Sequence, residues 1–414
     1  MSIERFFPNP ASRQRLRAGP LAKDVDAFAA HLAAEGYACS GARNKLCFFA
    51  NLSRWLSDQQ LSVEALDEQR VKTFLCEREP HHRLRINSSN ARQLLSWLRA
   101  AGRIPAALCS PADNAPIERV ARRYERFLLN ERGLKPATVE GYVPIVRAFL
   151  ANRFGTGDIA LENLSARDAN QFILREAQRL SRSTARRVGT VLRSFLRHLH
   201  QCGAISTDLA ATIPSVVNWR QAGPPKSIPL EAVEAILAGC DRGTVAGRRD
   251  YAILLLLARL GLRGGEVSAL TLDDFDWSAG IVSVPGKGDQ REPLPLPRDV
   301  GEAVTDYLRN GRPLACPTRR VFIHLHAPRR GFSSTTAIGD IVRRALARAA
   351  LDPPCKGAHL LRHSLATGML RNGATLEDIG QILRHRHPDT TQIYAQVDFE
   401  ALRSVAASWP GGAP

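Results

Sequence analysis

The sequence predicts a mainly α-helical protein with one small antiparallel β-sheet, built as two tandem helical domains followed by a larger mixed unit. Three observations lead there. One block of the chain recurs 98 residues later, since Leu66 falls on Leu164 and Phe74 on Phe172. Both copies carry apolar residues at helical spacing, with Gly where helices should stop. A single stretch, 281–296, alternates as a β-hairpin should. At 414 residues there is room for two or three domains, each burying its own core.

The N-terminus, MSIERFFPNPASRQRLR, lacks an apolar core and is not a secretory signal; residues 1–20 read as an extension. The repeated block is LSVEALDEQRVKTFL (61–75) and ALENLSARDANQFIL (160–174). Helical segments ending at Gly36 and Gly133 precede the two copies. LLSWLRAAGRI (94–104) and VLRSFLRHLHQCGAI (191–205) follow them, with Trp97 on Phe195. These patterns define helical domains at 21–110 and 117–215, joined by a Pro- and Ala-containing linker near Pro105 to Pro116. Chance likeness between amphipathic helices is the alternative.

VVNWRQAGPPKSIP (216–229) reads as an extended linker, because its Pro-Pro pair disfavours helix. The third unit, 230–414, opens with a helix over 231–238. A second helix, buried, starts at Asp250 and includes YAILLLLARLGL (251–262). That run is too short to span a bilayer and contains Arg259, so no membrane partner is expected. IVSVPGKGDQREPLPL (281–296) supplies a β-branched run, a Gly-rich turn and a second strand. Helices over 338–350, 360–371 and 376–384 follow, and 397–410 carries apolar residues able to line a further helical stripe.

The chain holds 57 Lys and Arg against 40 Asp and Glu, a net charge of +17. Basic residues recur throughout, a pattern suited to a polyanion met over a long footprint, nucleic acid above all. Arg accumulated through base composition would explain part of the excess, so charge only supports that reading. None of the 8 cysteines forms a C-x-x-C pair, which argues against zinc ribbons and thioredoxin-type sites. They read as reduced, mostly buried thiols in a cytoplasmic protein.

Four motifs in the last unit carry chemistry: GLRGGEVSAL (261–270), PGKGDQ (285–290), HLLRHS (359–364) and LRHRHPDTTQIYAQ (383–396). Alone, each has an ordinary structural explanation. His359 and His363 sit four apart as a helical metal pair would, but no acidic third ligand stands nearby, and no metal or cofactor is expected. Together they suit one reaction. Arg263 and Arg362 can hold the non-bridging oxygens of a phosphodiester with forked hydrogen bonds. Tyr394 can attack phosphorus and leave a covalent phosphotyrosine. Lys287, on a turn, can protonate the departing deoxyribose oxygen. His359 and His385 can donate to phosphoryl oxygens or help move the tyrosine proton.

The order Arg, Lys, His-x-x-Arg, His, Tyr resembles the catalytic domain of the tyrosine recombinases, the phage-integrase family. GLRGGEVSALTLDDFDW (261–277) looks like the first family box, and GAHLLRHSLATGMLRNGATLEDIGQILRHRHPDTTQIYAQV (357–397) like the second. The resemblance places Arg263, Lys287, His359, Arg362, His385 and Tyr394 at catalytic positions and Glu266 at a supporting acidic one. It implies two tandem SAM-like DNA-binding helical domains before a tyrosine-recombinase catalytic domain. It also implies double-stranded recombination sites as partners, with a homo- or hetero-tetramer in the synaptic complex. The extra helical domain is similar to additions in relatives from transposons and other mobile elements. Two positions depart from the family pattern: Arg384 stands where Gly is usual, and Gln396 where His is common. A type IB topoisomerase or an idle DNA-binding accessory protein are the competing readings.

Overall fold

Helices form wherever the apolar residues recur at three- and four-residue steps, and they account for most of the chain. The computed structural model describes residues 3–78, 84–105, 116–155, 157–214, 226–286, 291–314, 316, 318–385 and 387–397. Two units divide the chain: 105–220, and 1–104 together with 221–414.

The first 104 residues contain α1 (Pro10–Leu16), α2 (Val25–Ala34), α3 (Cys39–Asp58), α4 (Glu68–Arg78) and α5 (Leu84–Ala100). Their core is aromatic: Phe28 stacks on Phe49 at 5.3 Å, and Phe74 meets both Phe48 and Trp55 at 5.7 Å. Ile3, Phe6 and Leu16, from the stretch read as an extension, are buried in this same core. Glu35, at the end of α2, accepts the backbone N–H of Arg329 at 3.0 Å and pairs with the Arg330 guanidinium at 3.3 Å.

The unit 105–220 contains α6 (Pro116–Arg126), a π-helical turn (Phe127–Glu131), α7 (Pro136–Phe154), α8 (Ala166–Arg179) and α9 (Arg182–Gln201). Ser165 starts α8 with a reciprocal cap, its hydroxyl and N–H both engaged with Asp168. The repeat seen in the sequence has a structural counterpart. A 3₁₀ turn over Val63–Ala65 leads into α4, and one over Leu161–Asn163 leads into α8. Leu66 and Leu164 are buried at matching places, as are Phe74 and Phe172.

Residues 226–397 hold α10 (Leu230–Ala238), α11 (Val245–Arg259), α12 (Gly264–Ala269), β1 (Phe275–Asp276), β2 (Ile281–Pro285) and β3 (Arg291–Pro295). Then come α13 (Arg298–Asn310), α14 (Thr335–Arg348), α15 (His359–Arg371) and α16 (Leu376–Ile382), ending in 3₁₀ turns at Pro388–Thr390 and Gln392–Val397. Ala252 to Ala258 are all buried, so this stretch of α11 is apolar on every face and forms the axis of the core. The hairpin is present, with β2 and β3 antiparallel in the register Val282↔Leu294 and Val284↔Glu292. A third strand, β1, pairs with β2 on its other side.

Several expectations need adjustment. The buried helix begins at Val245 and not at Asp250, because the Thr244 hydroxyl accepts the Gly247 N–H and starts it a turn earlier. The helix expected over 376–384 stops at Ile382. The thiols are not mostly buried: among the described residues Cys240 is buried, whereas Cys39, Cys47, Cys76 and Cys355 are exposed. Cys47 and Cys76 lie on outward faces of α3 and α4, and Cys355 in the loop before α15. No described helix is long and apolar enough to cross a membrane. The possible helix beyond Val397 and most of both linkers lie outside the described residues.

Candidate active site

The buried α11 ends in a tight turn at Gly261, whose φ of +58° suits glycine. A Cβ there would also sit 2.6 Å from Leu383 Cδ2. This turn throws Arg263 out at the N-cap of the short α12. Glu266, in the first turn of α12 and almost fully buried, folds back on it. The carboxylate accepts the Arg263 backbone N–H at 2.8 Å and Arg263 Nη1 at 2.7 Å. Arg263 keeps two-fifths of its side chain exposed, so it is held at its base and open at its head.

Arg362 lies in the first turn of α15 and is only 3% exposed. Its two terminal nitrogens donate to the carbonyls of Gly261 and Leu383, tying the end of α11 to the end of α16. Burial, with Arg263 second, pulls its pKa down to about 10, so it stays cationic at neutral pH.

Arg384 follows α16 with φ of +54°. The His385 N–H bonds the Gly380 carbonyl at 2.9 Å and the Arg384 N–H bonds that of Gln381 at 3.0 Å, a Schellman closure with Arg384 in the left-handed position. This is the physical reason glycine suits the site. Here the Arg384 side chain is buried and donates Nη2 to Glu266 Oε2 at 2.8 Å, with Glu292 of β3 at 3.6 Å from Nε. Glu266 therefore holds two arginines, one from each end of the site.

His385 Nδ1 meets Thr391 Oγ1 at 2.8 Å. Burial, then Arg362 and Arg263, push the His385 pKa down to about 4, so its ring is neutral at pH 7. His359, at the start of α15, is lowered by the same three causes. Tyr394 is 1% exposed and packs with Ala366, Ile379 and Leu383. Burial raises its phenol to about 12 against the opposing pull of Arg362 and Arg263.

Arg263 and Arg362 thus stand within electrostatic reach of His359, His385 and Tyr394, and Glu266 within reach of both arginines and His359. Lys287, which falls between β2 and β3 in the sequence, lies outside the described residues. Two further groups belong to the site beyond those the sequence predicts. Arg384 figured only as a departure, yet it completes the Glu266 clamp. His363 enters the sequence pattern only through its metal-pair spacing with His359, yet its Nδ1 stands 2.8 Å from Tyr394 Oη. Its position, one residue past Arg362 and one helical turn past His359, was the available signal.

Residues 226–401 match the model of the phage integrase family, and 121–203 match its N-terminal SAM-like domain. The Sinorhizobium fredii protein y4rA is 42% identical over 395 residues, which cover 95% of this chain and 96% of that one. The chain belongs to the phage integrase family. Tyrosine recombinase XerD of Listeria monocytogenes is 33% identical over 289 residues, 67% of this chain and 94% of its own length. Among solved structures, the XerH site-specific recombinase in its post-cleavage complex with palindromic difH substrate aligns over 69% of this chain and 83% of its own. The TM-score is 0.54 at 19% identity. The Tn1549 transposon integrase in complex with circular intermediate DNA aligns over 69% of this chain and 98% of its own, with TM-score 0.51 at 17% identity. At such identities these two establish the fold: mostly helical, with a small three-stranded antiparallel sheet. The integrase and recombinase relatives favour strand exchange over the topoisomerase and accessory-protein alternatives.

Proposed function

We propose that this protein is a site-specific DNA recombinase of the mobile-element type, acting in the cytoplasm on double-stranded recombination sites. It cleaves and rejoins strands through a 3′-phosphotyrosine. The observation that carries the reading is the convergence of two guanidiniums, Arg263 and Arg362, on one tyrosine, Tyr394. Arg362 is fixed by two backbone carbonyls and Arg263 by Glu266, so both cations stand in place before any phosphate arrives.

Tyr394 Oη attacks phosphorus in line with the 5′-oxygen. Charge on the non-bridging oxygens is held by Arg263 and Arg362, with N–H donors from His359 and His385. Lys287 protonates the leaving 5′-oxygen. The phosphodiester energy stays in the tyrosyl ester, and rejoining reverses each step. The helical domains at 21–110 and 117–215 supply further DNA or protomer contacts around the catalytic domain at 230–414, with four protomers, alike or mixed, pairing two sites.

The test uses nicked suicide duplexes carrying the DNA that flanks this chain's gene. The native protein should yield a covalent adduct on denaturing gels, and Tyr394→Phe should bind the same duplex and yield none. Equal adduct from both proteins would refute the assignment.

A further inference from the structure

A phenol that attacks phosphorus must lose its proton, and a buried phenol at about 12 does not lose it to solvent at neutral pH. Among the described residues the Tyr394 hydroxyl makes one hydrogen bond, to His363 Nδ1 at 2.8 Å, with the two ring centroids 5.6 Å apart. We infer that His363 is the general base that takes the Tyr394 proton during cleavage and returns it during rejoining. This rests on Tyr394 being the nucleophile, as proposed above.

The geometry favours His363. Among the described residues neither His385, whose Nδ1 meets Thr391 Oγ1, nor His359, whose ring centroid lies 6.3 Å from that of His363, makes a hydrogen bond to the Tyr394 hydroxyl. Acting as an acceptor at Nδ1 requires His363 to be neutral with its proton on Nε2. Burial, His359 and Arg362 all disfavour the imidazolium and so favour a neutral ring. With the ring in this tautomer the phenol donates and the imidazole accepts, so the buried hydroxyl has somewhere to send its proton.

The step balances. The Oη–P bond forms as the P–O5′ bond breaks, the phenolic proton moves to His363 Nδ1, and the 5′-oxygen takes a proton from the general acid assigned to Lys287. As the proton leaves the phenol, Arg362 and Arg263 stabilise the developing phenolate, and the new imidazolium stands beside a phosphoryl group that is anionic. Rejoining runs the same transfers backwards, so one histidine serves both directions.

The experiment measures adduct formation on nicked duplexes with the DNA flanking this chain's gene, using an ordinary or a 5′-bridging phosphorothiolate at the scissile position. The native protein and Tyr394→Phe are the controls. His363→Asn keeps an acceptor near the hydroxyl but cannot take its proton, and His363→Phe keeps the ring volume. Both should bind DNA as the native protein does and cleave about 10²–10⁴-fold more slowly. The phosphorothiolate should not rescue them, because a better leaving group does nothing for the nucleophile, whereas it should rescue Lys287→Ala. Ring-fluorinated tyrosine at 394, a more acidic phenol, should recover much of the lost rate in the His363 variants. The acid limb of the native pH–rate profile should be absent in His363→Asn. The charged and titratable groups facing that ring, namely His359, Arg362, His385 and Tyr394, remain in the variant. Native-like cleavage by His363→Asn would overturn the inference while leaving the nucleophile intact. An adduct that forms in native protein and persists in Tyr394→Phe would overturn both.

Discussion

Replacing Arg384 by alanine and by glycine separates its two roles, holding Glu266 and occupying a left-handed backbone site. Its side chain and that of Glu266 are both more than nine-tenths buried, so solvent screens their 2.8 Å pair little. Breaking a buried pair typically costs about 3–5 kcal/mol when the remaining charge is stranded. Glu266 is not stranded, because it keeps two hydrogen bonds from Arg263. Arg384→Ala should therefore cost about 2–3 kcal/mol, below the usual range. The contact with Glu292, at 3.6 Å and well exposed on the glutamate side, adds little. Alanine keeps a Cβ at φ of +54°, whereas glycine removes a penalty of roughly 1–2 kcal/mol, partly offset by its freer unfolded chain. Arg384→Gly should thus be about 1 kcal/mol more stable than Arg384→Ala, and still less stable than the native protein. Hydrogen exchange of the 376–385 peptide reads this directly, since each kcal/mol changes protection about five-fold. Equal protection in the two variants would contradict the left-handed turn, and native protection in both would contradict the buried clamp.

Other consequences follow from the same site. Arg362→Ala and Arg263→Ala should each bind DNA nearly as tightly as the native protein yet cleave at least about 10²-fold more slowly, as single-turnover gels would show. Arg362→Lys should not restore cleavage, because one ammonium cannot bond both the Gly261 and Leu383 carbonyls. His385 has a folded pKa near 4, below its unfolded value, so the unfolded chain binds the proton more readily between about pH 6.5 and 4. Its contribution to stability is intact above pH 6.5 and is lost as pH falls through that window. His385→Gln should flatten part of the acid-side fall in Tm measured against pH. DNA affinity should decline linearly on a log–log plot against salt, with a slope of several counterions.

The sequence made much of this architecture legible because its strongest signals are local. The YAILLLLARLGL run could only be a buried helix, and IVSVPGKGDQREPLPL shows strand, turn and strand in order. The repeat was readable because Phe74 and Phe172 fill equivalent core places. What escaped depends on contacts distant in sequence. β1 is two residues long and exists through pairing with Ile281 and Val282, too short for any periodicity to mark. α13 has apolar residues at 300, 303, 304 and 307, a helical pattern that was present but not singled out. The end of α16 was read two residues late because an arginine, not a glycine, occupies the stop position. In the site, the residue types announced the chemistry, but which histidine faces the tyrosine is set by how α15 packs on the 3₁₀ turn at Gln392–Val397. Helical phase alone could not decide between His363 and His385.

Locating the covalent bond identifies the nucleophile. Trapped complexes of the native protein with nicked suicide DNA would be digested with protease and nuclease, and the nucleotide-bearing peptide sequenced by mass spectrometry. Tyr394 should carry a nucleotide joined through its 3′-phosphate. The same modification on any other tyrosine, or on a serine, would contradict this assignment.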